Sequence, residues 1–236
     1  IASQRGTNKT GELPMSIWAE AGAVIASLTT NDAFEMQTAF RSNGVWIVFS
    51  AVTAIGAVLT ILIYRLIPWL DRNLERSIIV YTYLVIAGII FAGVIQRFYL
   101  SGQPPWSTTI PPLLFMIMAW FGCSYNVRLR THLSFNEFRT NMPRPLQLGC
   151  LILDALLWFG FCVIVVTTTA RVTANSAANF QIVLGTDNVL QWYFIITVPI
   201  AFVLMAGRVL ENLMEDLHNY RSGEPLIKQA VIGGDV

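Results

Sequence analysis

Long apolar runs with very few charged residues recur along this chain, and they restrict it to a small set of folds. A helix needs about 20 mostly apolar residues to cross a bilayer core. Backbone N–H and C=O groups in lipid must be satisfied by the protein itself, so only helices and closed barrels can span a membrane. The runs lack the alternation of apolar and polar residues that marks a barrel strand. The sequence therefore predicts an all-α integral membrane protein, a bundle of about five transmembrane helices with additional interfacial amphipathic helices.

The spans are expected at residues 45–69, 77–95, 110–125, 146–166 and 189–210. Charged residues make up only 12% of the chain, about half their share in an ordinary soluble domain, and they cluster between the runs. The chain is accordingly divided into a N-terminal amphipathic or extramembrane segment, an additional first transmembrane helix with a charged turn at 71–76, a four-helix unit and a C-terminal tail. These four parts cover residues 1–43, 44–76, 77–226 and 227–236.

Basic residues are concentrated in one connecting segment, and this predicts the orientation of the chain. Residues 128–145 contain four arginines (Arg128, Arg130, Arg139 and Arg144) against one acidic residue, Glu137. Connecting segments rich in Lys and Arg stay on the cytoplasmic side. This segment and the C-terminus are therefore expected in the cytoplasm, and five spans place the N-terminus on the outer side.

Three segments have the pattern of helices that lie along the membrane surface. One is the apolar stretch 13–28, which is interrupted by Glu20. In the second, Ser134 and Glu137 have the spacing of a capping box, in which each side chain accepts a hydrogen bond from the other's backbone N–H. The third extends the last span, and Ser222-Gly223 predicts its end. Its apolar residues repeat at intervals of three and four: Leu210, Leu213, Met214 and Leu217.

Groups that could carry catalysis or bind a cofactor do not converge in this sequence. Both histidines, His132 and His218, lie in interfacial segments on the predicted cytoplasmic side, whereas a haem-bearing bundle needs axial ligands inside the spans. The three cysteines fall within apolar segments and are interpreted as packing residues. The sequence has no phosphate-binding loop or HExxH-type metal motif and no basic run typical of nucleic-acid binding. We therefore expect no enzyme activity, no cofactor in this chain and no nucleic-acid partner.

Asp154 is the one carboxylate well inside a predicted span. A charge at that depth is costly and is by default a functional hypothesis. Arg208 lies at a similar depth in the last span, so we expect Asp154 to pair with Arg208, or else with Arg128, and to join neighbouring helices. A role for Asp154 in a proton or ion relay is the alternative. Pro199 interrupts the last span and is expected to kink it.

Several short motifs appear in a fixed order from residue 96 onward. Gln96-Arg97-Phe98-Tyr99 ends a span, and Pro105-Trp106 follows a short turn. Arg128-Leu129-Arg130-Thr131-His132-Leu133 ends the next span, Asn141-Met142-Pro143 leads into another, and Val198-Pro199-Ile200 lies in the last one. In this order the region 77–226 resembles the small (DctQ-like) membrane subunit of tripartite ATP-independent periplasmic (TRAP) transporters. Two departures are Ser107, where an acidic residue is common in the family, and Arg130, where glycine is usual.

This resemblance implies a non-catalytic subunit of a bacterial inner-membrane transporter. Its expected partners are the large (M-type) permease subunit, which holds the substrate and sodium sites, a periplasmic substrate-binding protein that delivers an organic anion, and membrane lipids. The small subunit would brace the large one during secondary active uptake. The motif residues carried over as structural or interface positions are Arg97, Trp106, Arg130, His132 and Pro199. Two alternatives remain open: an independent small oligomeric channel or carrier, and a membrane anchor of an enzyme complex.

Overall fold

The structure is a computed structural model that describes residues 16–30, 32–99, 101–130 and 142–226. Five of the described helical segments are long and apolar enough to cross a membrane, which confirms the predicted all-α bundle. The described helices are α1 (Ile17–Thr30), α2 (Ala33–Ala39), α3 (Gly44–Leu66), α4 (Pro68–Tyr99), α5 (Trp106–Leu129), α6 (Arg144–Ala178), α7 (Trp192–Ile195) and α8 (Thr197–Ser222). The five segments that could cross a membrane are α3, α4, α5, α6 and the segment formed by α7 and α8.

The break between the first two spans falls at Ile67, and the predicted turn at 71–76 is wrong. Pro68 is the first residue of α4. A proline has no N–H to continue the preceding helix, and it pushes the residue before it towards extended backbone; Ile67 has φ −126° and ψ 83°. Proline is well suited to a first helical position, so residues 71–76 belong to the first turns of one long helix.

The fourth helix is also longer than expected, because α6 continues through the polar residues that follow residue 166, where the predicted span ends. Threonine hydroxyls there donate to carbonyls one turn earlier, as in Thr167 Oγ1 to the Val163 carbonyl at 2.7 Å and Thr173 Oγ1 to the Thr169 carbonyl at 2.7 Å. Such bonds satisfy the hydroxyls within the helix. The connector proper is residues 179–191, and it packs on the start of α5 at Gly185. A Cβ at Gly185 would lie 2.7 Å from Pro105 Cβ, and the glycine has φ +79°.

The last span is divided at Ile196, between α7 and α8. Pro199 lies in the first turn of α8, where its missing N–H removes no intrahelical bond. The helix interruption therefore precedes the proline by three residues. At the other end α8 stops at Ser222, and Gly223 has φ +83°, as the sequence predicts for this terminus.

Helix α8 occupies the centre of the bundle and packs against α3, α5 and α6. Phe202 is 1% exposed, and its ring contacts Trp120 and Phe161 at centroid distances of 5.0 and 5.6 Å. By contrast, α4 lies at the edge and buries only Glu75 and Gly93. We call the end where α5 finishes and α6 begins the arginine-rich end, and the other the opposite end.

Helices α1 and α2 are fixed to the opposite end of the bundle. The Gly44 N–H donates to Glu20 Oε2 at 3.0 Å, and Gln37 Nε2 donates to Asn175 Oδ1 at 2.6 Å. Val24 of α1 is fully buried. The predicted surface helix at 13–28 therefore has a packed inner face over the residues that the structure describes.

Candidate functional site

A buried arginine, Arg208 of α8, organises the arginine-rich end of the bundle. Its side chain is 1% exposed. Nε and Nη2 donate to the two carboxylate oxygens of Glu75 at 3.1 and 3.2 Å. Nη1 contacts the carboxylates of Asp71 and Glu211, the latter at 3.0 Å, and Nη2 donates to the Asp71 carbonyl at 3.0 Å. All three guanidinium nitrogens thus have partners.

The two acidic partners from α4 carry the contacts to further helices. Glu75 is 1% exposed and accepts a hydrogen bond from Ser124 Oγ of α5 at 2.8 Å. Asp71 also binds Arg128 of α5, with 2.9 Å between Asp71 Oδ2 and Arg128 Nη2. The ring of Tyr64 in α3 lies under the Arg208 guanidinium, 4.1 Å from its carbon to the ring centroid. The group joins α3, α4, α5 and α8, and we call it the Arg208 network.

The charges of the Arg208 network are close to balanced where its side chains are most buried. Two arginines face Asp71 and Glu75, and the third acid, Glu211, has a side chain 44% exposed. Taking an ion pair out of water is costly unless its geometry is good and its remaining donors are satisfied. The paired contact of the planar guanidinium with a carboxylate meets that condition. What this arrangement can do chemically is hold four helices at fixed positions.

The predicted pairing of Asp154 is wrong, because Arg208 and Arg128 bind the acids of α4 instead. No ion pair joins Asp154 to either arginine, all three residues being described. Asp154 lies on α6 in a surface groove with Leu157, Trp158 and Phe161. Asp71 and Glu75, the partners of these arginines, were not predicted from the sequence, because a charged segment between two apolar runs is typical of a turn. Their signal was available: acids at positions 71 and 75, three and seven residues after Pro68, share one face if the segment is helical.

A second arginine contact joins the ends of α5 and α8. Arg130 follows α5 with φ +54°, and its Nη1 lies 2.6 Å from Asp216 Oδ1, a side chain 6% exposed. Nη2 lies 3.2 Å from Glu215 Oε2 and donates to the Asn212 carbonyl at 3.0 Å. A left-handed φ favours glycine, which gives a physical reason for the glycine expected at this position from the resemblance. In this chain the arginine adopts that conformation and reaches α8.

We expect Arg130→Ala to lower the free energy of unfolding by about 1–2 kcal/mol, since it removes the guanidinium that contacts the nearly buried Asp216 carboxylate, while solvent screens part of this contact. Arg130→Gly loses the same contacts but relieves the left-handed backbone, worth about 1 kcal/mol. It should therefore be the more stable of the two variants. The midpoint of detergent-induced unfolding of the purified chain measures both. Equal midpoints for the wild type and Arg130→Ala would show that the contact contributes nothing.

The remaining sequence candidates are distributed over both ends of the bundle. Arg144, at the arginine-rich end, donates to the Glu224 carbonyl at 2.9 Å. Arg97 is exposed at the end of α4, and Trp106 begins α5; with Pro199 they lie at the opposite end. His132 and the capping box at Ser134 and Glu137 fall outside the described residues. Over the described part of the chain, no group of three or more His, Cys, Asp or Glu is arranged to hold a metal ion.

Two exposed helix faces differ in chemistry. On α4, Tyr81, Leu84, Gly88 and Ala92 follow one another at helical spacing and are exposed; a Cβ at Gly88 would meet no atom within 4 Å. The outer face of α6 is exposed too, but its members are mostly aliphatic: Leu153, Leu156, Leu157, Gly160 and Ile164. Small residues let a second helix approach closely, and a tyrosine hydroxyl in hydrocarbon needs a polar partner. The α4 face therefore has features of a protein contact, and the α6 face those of a lipid contact.

Comparison with known protein families identifies the region from α4 to α8. Residues 86–219 match the family described as "Tripartite ATP-independent periplasmic transporters, DctQ component". None of the curated proteins matches the chain. Within the Arg208 network, Ser124, Arg128, Arg208 and Glu211 lie in the matched region. Tyr64, Asp71 and Glu75 precede it, so two of the three carboxylates that contact Arg208 come from the segment before the matched region.

Proposed function

The chain belongs to the DctQ family of tripartite ATP-independent periplasmic transporter components, and from that membership we propose that it braces a large permease subunit. In this proposal the large subunit binds substrate and sodium, and a periplasmic binding protein delivers an organic anion to it. The chain itself carries no transport site. It lies in the bacterial inner membrane, with the arginine-rich end in the cytoplasm.

The uncovered face of α4 is the observation on which this proposal rests. Most of α4 is exposed or only partly buried within the chain, since Glu75 and Gly93 are its only buried residues. Tyr81 is 68% exposed, and at a rise of 1.5 Å per residue it lies about 8 Å inside the hydrocarbon from Arg76. Gly88 and Ala92 lie further along the same face. A large apolar partner that packs closely against this face would cover the small residues and could bind the tyrosine hydroxyl.

The Arg208 network supports the bracing part of the proposal. It fixes α4 to α5 and α8 through Glu75 and Asp71, so a partner bound to α4 would be held against the whole bundle. An element that moves needs two alternative packing arrangements. The paired charges of the Arg208 network disfavour a second arrangement, because separating them would leave buried charges without partners. The bundle is therefore suited to remain still while a partner moves.

We expect Gly88→Leu to reduce recovery of the large permease subunit with the tagged chain by about tenfold or more, because the leucine side chain would occupy the space of a close helix contact. The measurement is mild detergent extraction from native membranes followed by quantitative mass spectrometry of what co-purifies. Gly88→Leu should not unfold the chain, since open space surrounds this position.

The matched control is Gly160→Leu, a change of the same residue type at an equally open position on the outer face of α6. It should leave recovery of the permease unchanged. Equal recovery of the permease with Gly88→Leu and Gly160→Leu would show that this face of α4 is not the contact face. Isolation of the wild-type chain as a lone homo-oligomer would favour a channel or carrier, and a soluble enzyme as the main partner would favour an anchor; either result would overturn the proposed function.

A further inference from the structure

A groove at the opposite end of the bundle contains two arginines that form no ion pair with a described carboxylate. It lies between α2 and α6, and it is lined by Gln37, Phe40, Arg41, Arg171, Val172 and Asn175. Throughout the described residues, every ion pair involves other arginines than Arg41 and Arg171. The groove therefore carries a positive charge of two that is available to a ligand.

Arg171 is held in one position by its neighbours and still has an unused donor. Its Nη2 donates to the Ser42 carbonyl at 3.1 Å, and its guanidinium carbon lies 5.5 Å from the centroid of the Trp46 ring. The Nε atom is buried and has no hydrogen-bond partner. An arginine fixed by stacking and by one backbone contact loses little conformational freedom when it binds an anion with its remaining donors.

The position of Arg171 along α6 indicates the depth of the groove in the membrane. Arg144 begins this helix at the arginine-rich end, and at a rise of 1.5 Å per residue Arg171 lies about 40 Å further along the helix. A bilayer is about 30 Å thick across its hydrocarbon and about 40–45 Å with its headgroups. Arg144 and Arg171 thus belong to the two opposite headgroup layers.

We propose that this groove binds the phosphate group of an anionic phospholipid headgroup. Paired N–H donors of arginine match the oxygens of a phosphate, and the depth places both arginines where lipid phosphates are. Val172, 52% exposed, supplies apolar surface next to the charge. Because Gln37 belongs to α2, Arg41 to the turn that follows α2 and Arg171 to α6, a bound headgroup would join the α2 segment to the bundle. The site lies partly outside the region matched to the family.

Arg41→Gln is the decisive variant, because Arg41 is exposed and its loss removes charge without removing the contacts that hold Arg171. The full-length chain is purified in a neutral detergent, and phosphatidylglycerol is titrated while the thermal midpoint is recorded. The concentration that gives half of the stabilisation should rise about fivefold, as expected for one basic residue near an anionic lipid. Arg171→Gln, a second variant, should weaken binding at least as much. Arg72→Gln, the same change at an exposed arginine of the other end, should have no effect.

Inorganic phosphate, titrated in the same way, separates the two sources of this ligand. Stabilisation by the lipid alone supports the headgroup site as proposed. Stabilisation by phosphate that is lost in Arg41→Gln keeps the phosphate site but assigns it to a free anion. Equal lipid titrations for the wild type and both groove variants, or stabilisation by neither lipid nor phosphate, would overturn the proposal. An acidic group of a protein partner would then be the remaining ligand for the two arginines.

Discussion

Arg208→Met is expected to lower the free energy of unfolding by about 3–5 kcal/mol, the cost of removing one partner from a buried ion pair. Methionine retains much of the apolar length of the side chain, so the loss would come from charge and hydrogen bonding. Glu75, 1% exposed, would keep only the Ser124 hydroxyl as a described partner, and Asp71 would keep Arg128. Detergent-induced unfolding of the purified chain, followed by tryptophan fluorescence, gives the change directly.

The double variant Arg208→Met/Glu75→Gln distinguishes an uncompensated charge from a simple loss of packing. With Glu75 neutral, the Arg208 network contains no fully buried carboxylate without a cation, so the double variant should recover a substantial part of the lost stability. Arg208→Lys keeps the charge but not the planar fork that reaches both oxygens of Glu75, and should fall between the wild type and Arg208→Met. A double variant no more stable than Arg208→Met would show that the negative charge of Glu75 is not the cause.

The five membrane spans could be predicted from the sequence because each depends on a local property, the length of an apolar run. The ends of these helices were harder to predict. The threonines after residue 166 are polar and β-branched, features that indicate a connector, yet within α6 their hydroxyls bond to carbonyls of the previous turn. A hydropathy argument assigns polar side chains to water, whereas a helix can satisfy them itself.

The Arg208 network could be predicted only in part, because its members are distant in sequence. Arg208 was identified as a buried cation, but its partners Asp71 and Glu75 precede it by more than 130 residues. A charged segment between two apolar runs indicates a turn unless its partners are known. The proline at position 68 was the local sign that a helix begins before the acids. Arg130 illustrates the same limit: its backbone conformation could be inferred from the family's glycine, but its contact with Asp216 could not.

The close contact between α3 and α8 leads to the second large expected effect. Gly207 of α8 faces Ala57 and Thr60 of α3, and a Cβ at this glycine would lie 2.9 Å from Thr60 Cβ and Cγ2 and 3.3 Å from the Ala57 carbonyl oxygen. Gly207→Leu adds four carbon atoms where the first has no room. We expect it to lower the free energy of unfolding by about 3 kcal/mol, the upper part of the range for overpacked cores. Gly160→Leu, at an open position, is the control and should not destabilise the chain.

Whether α3 is a fixed part of the bundle depends on this contact, since α3 precedes the region matched to the family. If the two helices pack as one unit, Gly207→Ala and Thr60→Gly should interact, because the second substitution removes the atoms with which the new Cβ collides. The double variant should then be about 1 kcal/mol more stable than the added effects of the two single changes predict. The usual cost of a glycine within a helix is present both in Thr60→Gly and in the double variant, so it does not affect this comparison. Strict additivity would mean that α3 moves away from α8 at little cost. The additional helix would then be a loosely attached neighbour of the DctQ region and could not share in holding a partner still.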